Sequence, residues 1–353
     1  MKNIVEFLYK LPIPIQRFLH RIKNLQDVIK GRTEKQIEAA MLLFADKYNI
    51  SEDELKRVKT DMTYYYVFGL TKPIEYFLLD FKSKSRKQRV QYMTDIEKDM
   101  YCHKYDGHRR LEALMDKWQF FSLMSKYYKR DAMLLDKDTP IDDLKHFAEK
   151  HPKFIAKPNK GSFGANTSII DTSNSTIPSV YNHLIKAECH SWILEELITQ
   201  TDVMAAFNPD SVNSIRIPTF RTNDGIKIFG CFMRSGRKGS VVDNAGAGGI
   251  FMKIDDETGI ISSDGYTEKG ESYTMHPDSK IQFKGFQIPQ WNELKNLAIQ
   301  CHHELPHHKY IGWDFVLTKD GWVLMEGNWG QYLCQQVSSK EPMKNKFIQL
   351  IKN

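Results

Sequence analysis

The run Tyr310-Ile-Gly-Trp-Asp314-Phe-Val-Leu-Thr318, the turn Lys319-Asp320-Gly321 and the run Trp322-Val-Leu-Met-Glu326-Gly-Asn328 constrain this chain more than any other stretch. Two apolar β-forming runs around a short glycine-bearing turn read as a hairpin. Trp313, Phe315, Val323 and Met325 make it too apolar for an ordinary surface ribbon. If Thr318 and Trp322 close a three-residue loop, pairing outward by equal steps sets Asp314 opposite Glu326, and Asn328, two positions on, points to the same face. Opposed residues hold their Cβ atoms ~4.5–5.5 Å apart, so two facing carboxylates repel unless a cation or a shared proton intervenes. Mg2+ resolves that conflict because it favours oxygen donors, and Asp314, Glu326 and Asn328 form the candidate metal site. The alternative is a solvated acidic edge.

The size of the chain allows such a hairpin to be buried. At 353 residues and 41% hydrophobic content, two or three joined lobes are expected. The net charge of +6 suits anionic ligands but falls short of a nucleic-acid-binding composition. Five single cysteines without a CxxC pair, and no cleavable signal pattern at the start, predict a cytoplasmic protein. No apolar run reaches the ~18–20 residues needed to cross a bilayer. Ile4 to Leu25 does mix Phe7, Leu8, Leu11, Phe18, Leu19 and Ile22 with Lys10, Arg17, Arg21 and Lys23, as a basic amphipathic segment does. Docking of these apolar residues on the rest of the protein is the expected use, with peripheral membrane contact as the alternative.

Residues 1–110 read as helical and charged, with three-and-four spacing over Glu34–Tyr48 and Glu52–Phe68 and a capping box from Ser51 to Glu54. They carry no legible chemistry, and the basic stretch Lys82–Arg89 reads as a solvated surface. A further helix is expected over Leu111–Lys129, short β-rich runs from Lys153 onward, and helices again at Gln290–Glu304 and near the C-terminus.

Lys153-Phe-Ile-Ala-Lys157-Pro is a short strand, followed by Asn-Lys160-Gly161-Ser162-Phe163-Gly164-Ala-Asn166. A lysine delivered by a strand into a glycine- and serine-rich turn suits phosphate oxygens. Taken alone, the segment reads better as an ordinary hairpin loop. Ser191-Trp-Ile-Leu-Glu195-Glu196-Leu197-Ile is an apolar strand whose end could give an adenine ring its polar edge, with Asp202 a candidate for the ribose. A solvated strand end explains it equally well.

Ser214-Ile-Arg216 to Arg221 turns through an Asp224-Gly225 signal and returns to Arg234. Whether Arg216 and Arg234 share a face depends on a one-residue choice of loop length. Paired arginines usually meet carboxylates in the protein, and they can also stabilise a triphosphate or acyl phosphate. In Asp243-Asn244-Ala-Gly-Ala-Gly248-Gly249 the glycine density suggests close approach to a ligand. Cys301-His302-His303 with His307-His308 lacks the spacing of a helical zinc site and reads as a solvated helix end.

Lysine strand, glycine loop, acid-ended strand, arginine strands, and then Asp followed by Glu-x-Asn resemble the ATP-grasp superfamily. The chain is similar, more narrowly, to the sugar-transfer-associated ATP-grasp family over roughly Leu111 to Gln331. The match rests on Asn213-Ser-Ile-Arg216, Val242-Asp-Asn244 with Gly248-Gly249, His276-Pro-Asp278, Gly285-Phe-Gln-Ile-Pro289, Gly312-Trp-Asp314 and Met325-Glu-Gly-Asn328. The middle of Asn244-Ala-Gly246-Ala247-Gly-Gly departs from it, where a bulkier residue is expected.

The resemblance implies an α+β ATP-grasp fold holding nucleotide between two lobes, 111–200 and 201–353, after the helical region 1–110. It implies that Lys117 and Lys157 contact phosphates, that Glu195, Glu196 and Leu197 contact adenine, that Asp314, Glu326 and Asn328 hold Mg2+, and that Arg234 stabilises the transferred phosphoryl group. The phosphate loop then becomes the favoured reading of Lys160 to Gly164. The expected activity is an ATP-dependent ligase that activates a small-molecule carboxylate as an acyl phosphate for an amine or sugar acceptor, in polysaccharide or sugar-conjugate biosynthesis. A small-molecule kinase on the same scaffold, or an inactive nucleotide-binding partner protein, are the alternatives.

Overall fold

The computed structural model describes residues 2–48, 51–107, 114–160, 167–187, 191–330 and 332–353, with the side chains of residues 2–5 left out. Before Ala132 every described element is a helix: α1 (Lys2–Lys10), α2 (Ile13–Ile29), α3 (Glu34–Tyr48), α4 (Glu52–Phe68), α5 (Pro73–Leu78), α6 (Arg86–Arg89), α7 (Asp95–Asp106) and α8 (Lys117–Tyr128), with a 3-10 turn at Phe81–Ser83. The start of α4 has the expected physical cause, since Ser51 accepts the Glu54 N–H.

Two antiparallel sheets follow. The first has the order β1-β4-β2-β3, built from β1 (Ala132–Asp136), β2 (Lys153–Pro158), β3 (Ser168–Asp171) and β4 (Ser191–Glu196). Helices α9 (Ile141–Lys150) and α10 (Ile177–Lys186) cover it, and Leu144, Ala148, Val180 and Leu184 meet Phe154, Trp192 and Leu194 in a small core. The second has the order β10-β9-β8-β7-β5-β11-β12, with β6 beside β5. Its strands are β5 (Ile215–Thr222), β6 (Gly225–Ile228), β7 (Phe232–Ser235), β8 (Ile250–Lys253), β9 (Gly265–Tyr266), β10 (Ser272–Tyr273), β11 (Tyr310–Thr318) and β12 (Gly321–Asn328).

The main core fills around this second sheet. Ile217, Phe220, Trp313 and Phe315 pack there with α12 (Trp291–His303), α14 (Lys344–Lys352) and Phe120, Phe121 and Met124 of α8. Helix α8 therefore packs in the core of the second sheet although it precedes the first in sequence. Another core joins α3, α4 and α5 to the same sheet, where Phe44, Met62 and Phe77 share contacts with Phe232, Phe251 and Leu333 of α13 (Leu333–Ser339).

Three expectations are corrected by this packing. Beyond Ile13, which packs on the main core, most apolar residues of α2 do not dock: its buried residues are Gln16 and Asn24, while Phe18, Ile22 and Ile29 are exposed. Arg89 is no solvated residue, since it pairs with Asp61 at 2.6 Å and lies over the Tyr65 ring. The helix end at His302 is not solvated either. His302 is buried, its Nδ1 sits 2.7 Å from Thr219 Oγ1 and its Nε2 2.9 Å from the His308 carbonyl oxygen, and burial pulls its pKa down to about 3. Cys102, Cys231, Cys301 and Cys334 are buried thiols, and Cys189 lies outside the described residues.

Arg130, between α8 and β1, ties the two sheets together. Its Nη1 donates to the Leu324 carbonyl of β12 at 2.7 Å, and its Nε donates to Glu195 of β4 at 2.8 Å. Both side chains of the ion pair are almost fully buried, and a buried carboxylate that loses a partner costs about 3–5 kcal/mol. Arg130→Met is expected to lower the urea unfolding midpoint, followed by tryptophan fluorescence, by a stability loss of that size. A loss below about 1 kcal/mol would be the behaviour of an exposed pair and would contradict the linking role.

Candidate active site

The hairpin β11–β12 places its acids as expected, by a different route. Its loop is shorter than the sequence suggests: Thr318 pairs with Gly321, which adopts φ +92°. The shorter turn by itself would offset the acids by one residue. A bulge at Met325 restores the register, since Phe315 pairs with Leu324 and Asp314 with Glu326. On its other side β11 pairs with β5, with Asp314 opposite Arg216.

The open question about the arginines is settled by a second irregularity. Thr219 pairs with Ile228 of β6, but Arg216 pairs with Phe232 of β7, a one-residue shift around Phe229–Cys231. The Arg234 N–H then donates to the Ser214 carbonyl at 2.8 Å. Ser214, Arg216 and Arg234 thereby share one face with Asp314, Glu326 and Asn328.

On that face Asp314, fully buried, is held by both arginines. Arg216 donates through Nε and through Nη2, the latter at 2.7 Å, and Arg234 Nη2 donates at 2.7 Å. Burial pushes the Asp314 carboxyl up, but Arg216 and Arg234 outweigh it and hold it down at about 2. Arg234 also donates to Ser214 Oγ, whose own hydroxyl donates to Asp243. Asn328 Oδ1 accepts the Gly330 N–H at 2.7 Å and Arg216 Nη1 at 3.3 Å. Glycine leaves room for this arginine: a Cβ on Gly330 would come within 2.2 Å of its Nη1, and one on Gly312 would press on its Cδ at 3.2 Å.

At Glu326 the same arginines compensate less: against burial and the facing Asp314, Arg234 and Arg216 pull its carboxyl down but do not outweigh them. Burial and the facing Asp314 both push its carboxyl above the usual range, so it favours its proton unless a cation replaces it. Glu326 and Asn328 remain partly exposed, and the Asn328 amide reaches Glu326 Oε1 at 3.4 Å. Glu326 is the oxygen donor that fits Mg2+ best, being accessible and the group most in need of positive charge. Both Asp314 oxygens already accept from Arg216 and Arg234, and Asn328 Oδ1 accepts from Gly330 and Arg216, so these two would share their oxygens with the ion.

The first sheet brings the lysines. Lys157 of β2 donates to Glu195 Oε1 at 2.9 Å, and Arg130 holds the other carboxylate oxygen. Burial raises the Glu195 pKa, yet Arg130 and Lys157 bring it down to about 2. The Lys117 ammonium donates to the Pro158 carbonyl at 2.9 Å. Burial pulls its pKa down, Glu326 raises it and Lys157 lowers it further, so Lys117 lies within electrostatic reach of both sheets.

Glu195 thus uses its side chain inside the lobe, and its backbone is paired on both sides, with Ala132 and with Ile155. The Glu196 N–H donates to the Asp131 carbonyl at 3.0 Å, and its carboxylate accepts the Asp131 N–H at 3.1 Å. Leu197 follows directly after β4. Asp202 is exposed, in the first turn of a four-residue helix. Lys160 is exposed, 3.8 Å from Asp116, while Gly161, Ser162, Phe163 and Gly164 lie outside the described residues.

The glycine-rich segment has an internal explanation. Asp243 is buried and accepts the Ser214 N–H at 2.9 Å. Asn244 accepts the Gly249 N–H through its carbonyl at 3.0 Å, Gly248 has φ +91°, and a Cβ on Gly249 would come within 2.2 Å of the Asp243 carbonyl oxygen. Glycine is needed at both positions by the turn itself.

Two residues here had no motif to announce them. Arg130 completes the Glu195 cluster. Lys98 of α7 is buried and donates to the carbonyls of Trp329 and Gly330, each at 3.0 Å, fixing the chain just beyond Asn328. In sequence Lys98 is a lone lysine in a helical segment and Arg130 follows Lys129 in a connection, with no motif around either.

A family model described as sugar-transfer associated ATP-grasp matches residues 97–353. No curated protein sequence matches the chain. Among solved structures, the ATP-grasp ligase PsnB complexed with minimal precursor is similar at 12% identity and TM-score 0.42, over 70% of this chain and 64% of that one. The D-alanine–D-alanine ligase from Bacillus anthracis is similar at 13% and 0.41, over 70% and 69% of the two chains. An N5-carboxyaminoimidazole synthase from Aspergillus clavatus, in complex with ADP and an aminoimidazole ribonucleotide, is similar at 10% and 0.39, over 62% and 45%. The chain thus spans 64% of the length of the first of these structures and less than half of the third. With α7, both sheets and the arginine-held acids inside the span of the family model, the chain has the ATP-grasp fold and belongs to the sugar-transfer associated ATP-grasp family.

Proposed function

We propose that the chain is an ATP-dependent carboxylate–amine ligase, or a ligase for a similar nucleophile, acting through an acyl phosphate. The observation that carries this reading is a pair of charge clusters, Arg130 and Lys157 on Glu195 and Arg216 and Arg234 on Asp314, with Lys117 in electrostatic reach of both Glu195 and Glu326. ATP, as substrate, would place its phosphates between them.

An attacking carboxylate and a triphosphate repel one another, and the chain's cations reduce that repulsion. Lys157 would face phosphate oxygens while Glu195 orients it, and Lys117 would act beside it. Arg234 uses Nε and Nη2 on Ser214 and Asp314 and would meet the transferred phosphoryl group with its remaining edge. Arg216, anchored on Asp314, orients Asn328. Mg2+, held by Glu326, Asn328 and Asp314, would supply charge neutralisation at the phosphates. The nucleophile then attacks the acyl carbon and expels phosphate, with an arginine positioned to stabilise the oxyanion. A carboxylate donor and an amine or sugar-conjugate acceptor are the substrate classes to test first, because the family is associated with sugar transfer. The lobes 111–200 and 201–353, with the adenine edge at Glu196 and Leu197 and the ribose at Asp202, complete the proposal. The same reading gives Asp243, Asn244, Gly248 and Gly249 a supporting role behind Arg234.

Turnover across panels of amino acids and amino sugars is expected to release ADP and phosphate, with a product mass equal to donor plus acceptor less water. AMP and pyrophosphate as stoichiometric products would overturn the acyl phosphate route. A stable phosphorylated product made from one substrate alone would point to a kinase.

Lys157→Met is expected to weaken ATP binding by roughly tenfold or more, the worth of a charge-assisted hydrogen bond. The fold should survive, since Arg130 still holds Glu195. Glu326→Gln is expected to lower Mg2+-dependent ATP turnover by about two orders of magnitude with an unchanged melting temperature. Near-wild-type turnover of Glu326→Gln at limiting Mg2+ would remove Glu326 from the metal site.

A further inference from the structure

Helix α2 is amphipathic in the reverse sense. Ile15, Phe18, Leu19, Ile22, Leu25 and Ile29 recur at three- and four-residue spacing, within an arc of ~120° at 100° per residue, and all six are exposed, Phe18 at 60% and Ile29 at 75%. The opposite side, turned toward the protein, is mostly polar, with Ile13 its apolar contact on the main core. Gln16 donates to the carbonyls of Tyr9 and Leu11, Asn24 donates to the Tyr66 carbonyl at 2.7 Å, and Arg17 pairs with Glu97 at 2.7 Å. Arg21 Nε donates to the Phe68 carbonyl at 3.0 Å. Rotating the stripe inward would break all of these contacts, so the stripe faces out by construction. Helix α1 adds Phe7, which is 63% exposed.

The charge around the stripe selects its partner. Residues 1–32 hold seven lysines and arginines against two acids, a net of +5 within a chain whose total is +6. Arg21, Lys23, Lys30 and Arg32 are exposed with the stripe. Two copies of the chain meeting stripe to stripe would set these like charges against each other, whereas an anionic lipid surface complements them. No described helix is long and apolar enough to cross a membrane.

We propose that α1 and α2 are an in-plane membrane-docking element. In this arrangement the apolar stripe of α2 sinks into the headgroup and acyl boundary of an anionic bilayer, and the flanking lysines and arginines contact lipid phosphates. The remainder of the chain is held at the surface through α4 and α7, on which α2 packs.

The test uses the full chain and extruded vesicles, read by co-sedimentation. Binding is expected to phosphatidylcholine vesicles containing a minority of phosphatidylglycerol, to be weaker on phosphatidylcholine alone, and to fall as salt rises. The double variant Phe18→Glu with Ile22→Glu is expected to lower partitioning by about tenfold or more, with an unchanged melting temperature because both residues are exposed. Lys23→Glu with Lys30→Glu, which leaves the apolar stripe intact, is expected to lower it on the anionic vesicles and to leave the weak binding to phosphatidylcholine unchanged. Absence of binding to anionic vesicles would overturn the proposal. So would a dimer in sedimentation velocity that the Phe18 and Ile22 variant dissociates, since the stripe would then belong to a second copy of the chain.

Discussion

The clamp of Arg216 and Arg234 on the buried Asp314 is the interaction on which the second sheet's functional face depends. Removing three charges from water is costly, and the attraction inside offsets that cost only if the geometry is close and further hydrogen bonds satisfy the remaining donors. The fold meets both conditions. Arg216 lies directly across from Asp314 on the neighbouring strand, and Arg234 reaches the same carboxylate from β7 with Ser214 as an added acceptor. Glycine at 312 and 330 leaves the space through which Arg216 passes. The clamp ties three strands through side chains as well as backbone, and each arginine is oriented before any ligand arrives.

The N-terminal helices contribute to this face, although their sequence shows no motif. Lys98 of α7 fixes the carbonyls of Trp329 and Gly330, and the Gly330 N–H in turn holds Asn328 Oδ1. The family model begins one residue before Lys98, inside α7. The helices before it share a core with β7, β8 and α13, so the active face is backed by a helical layer that does not belong to the two-sheet core.

Much of this was legible in the sequence, and what was missed has two physical causes. Alternation and continuous apolar runs revealed the strands, and Asp314 was expected opposite Glu326. The loop length was not readable, because the bulge at Met325 compensates for a shorter turn and Leu324 and Met325 are both apolar, so composition does not show which of them is extra. The shared face of Arg216 and Arg234 was undecidable for the same reason, resting on one unpaired residue near Phe229–Cys231. Helix α2 failed differently. Its periodicity was correct, but Gln16 and Asn24 resemble solvent-facing residues until their carbonyl partners on other segments are known. His302 likewise needed Thr219, far away in sequence, to reveal it as a core residue.

Comparing the two clusters shows why a metal-bound polyanion suits the proposed site. On the first sheet, Glu195 alone balances Arg130 and Lys157, and Lys117 stands beside them, so this side carries surplus positive charge. On the second sheet, Asp314 and Asp243 offset Arg216 and Arg234, so the arginines only partly offset the burial and the Asp314 charge that act on Glu326. An anion alone would be attracted to the lysines and would worsen the repulsion at Glu326. A divalent cation alone would satisfy Glu326 and be repelled by Lys117. A ligand carrying negative charge toward the lysines and a cation toward Glu326 lowers both energies at once, and the proposed magnesium-bound nucleoside triphosphate has that charge pattern.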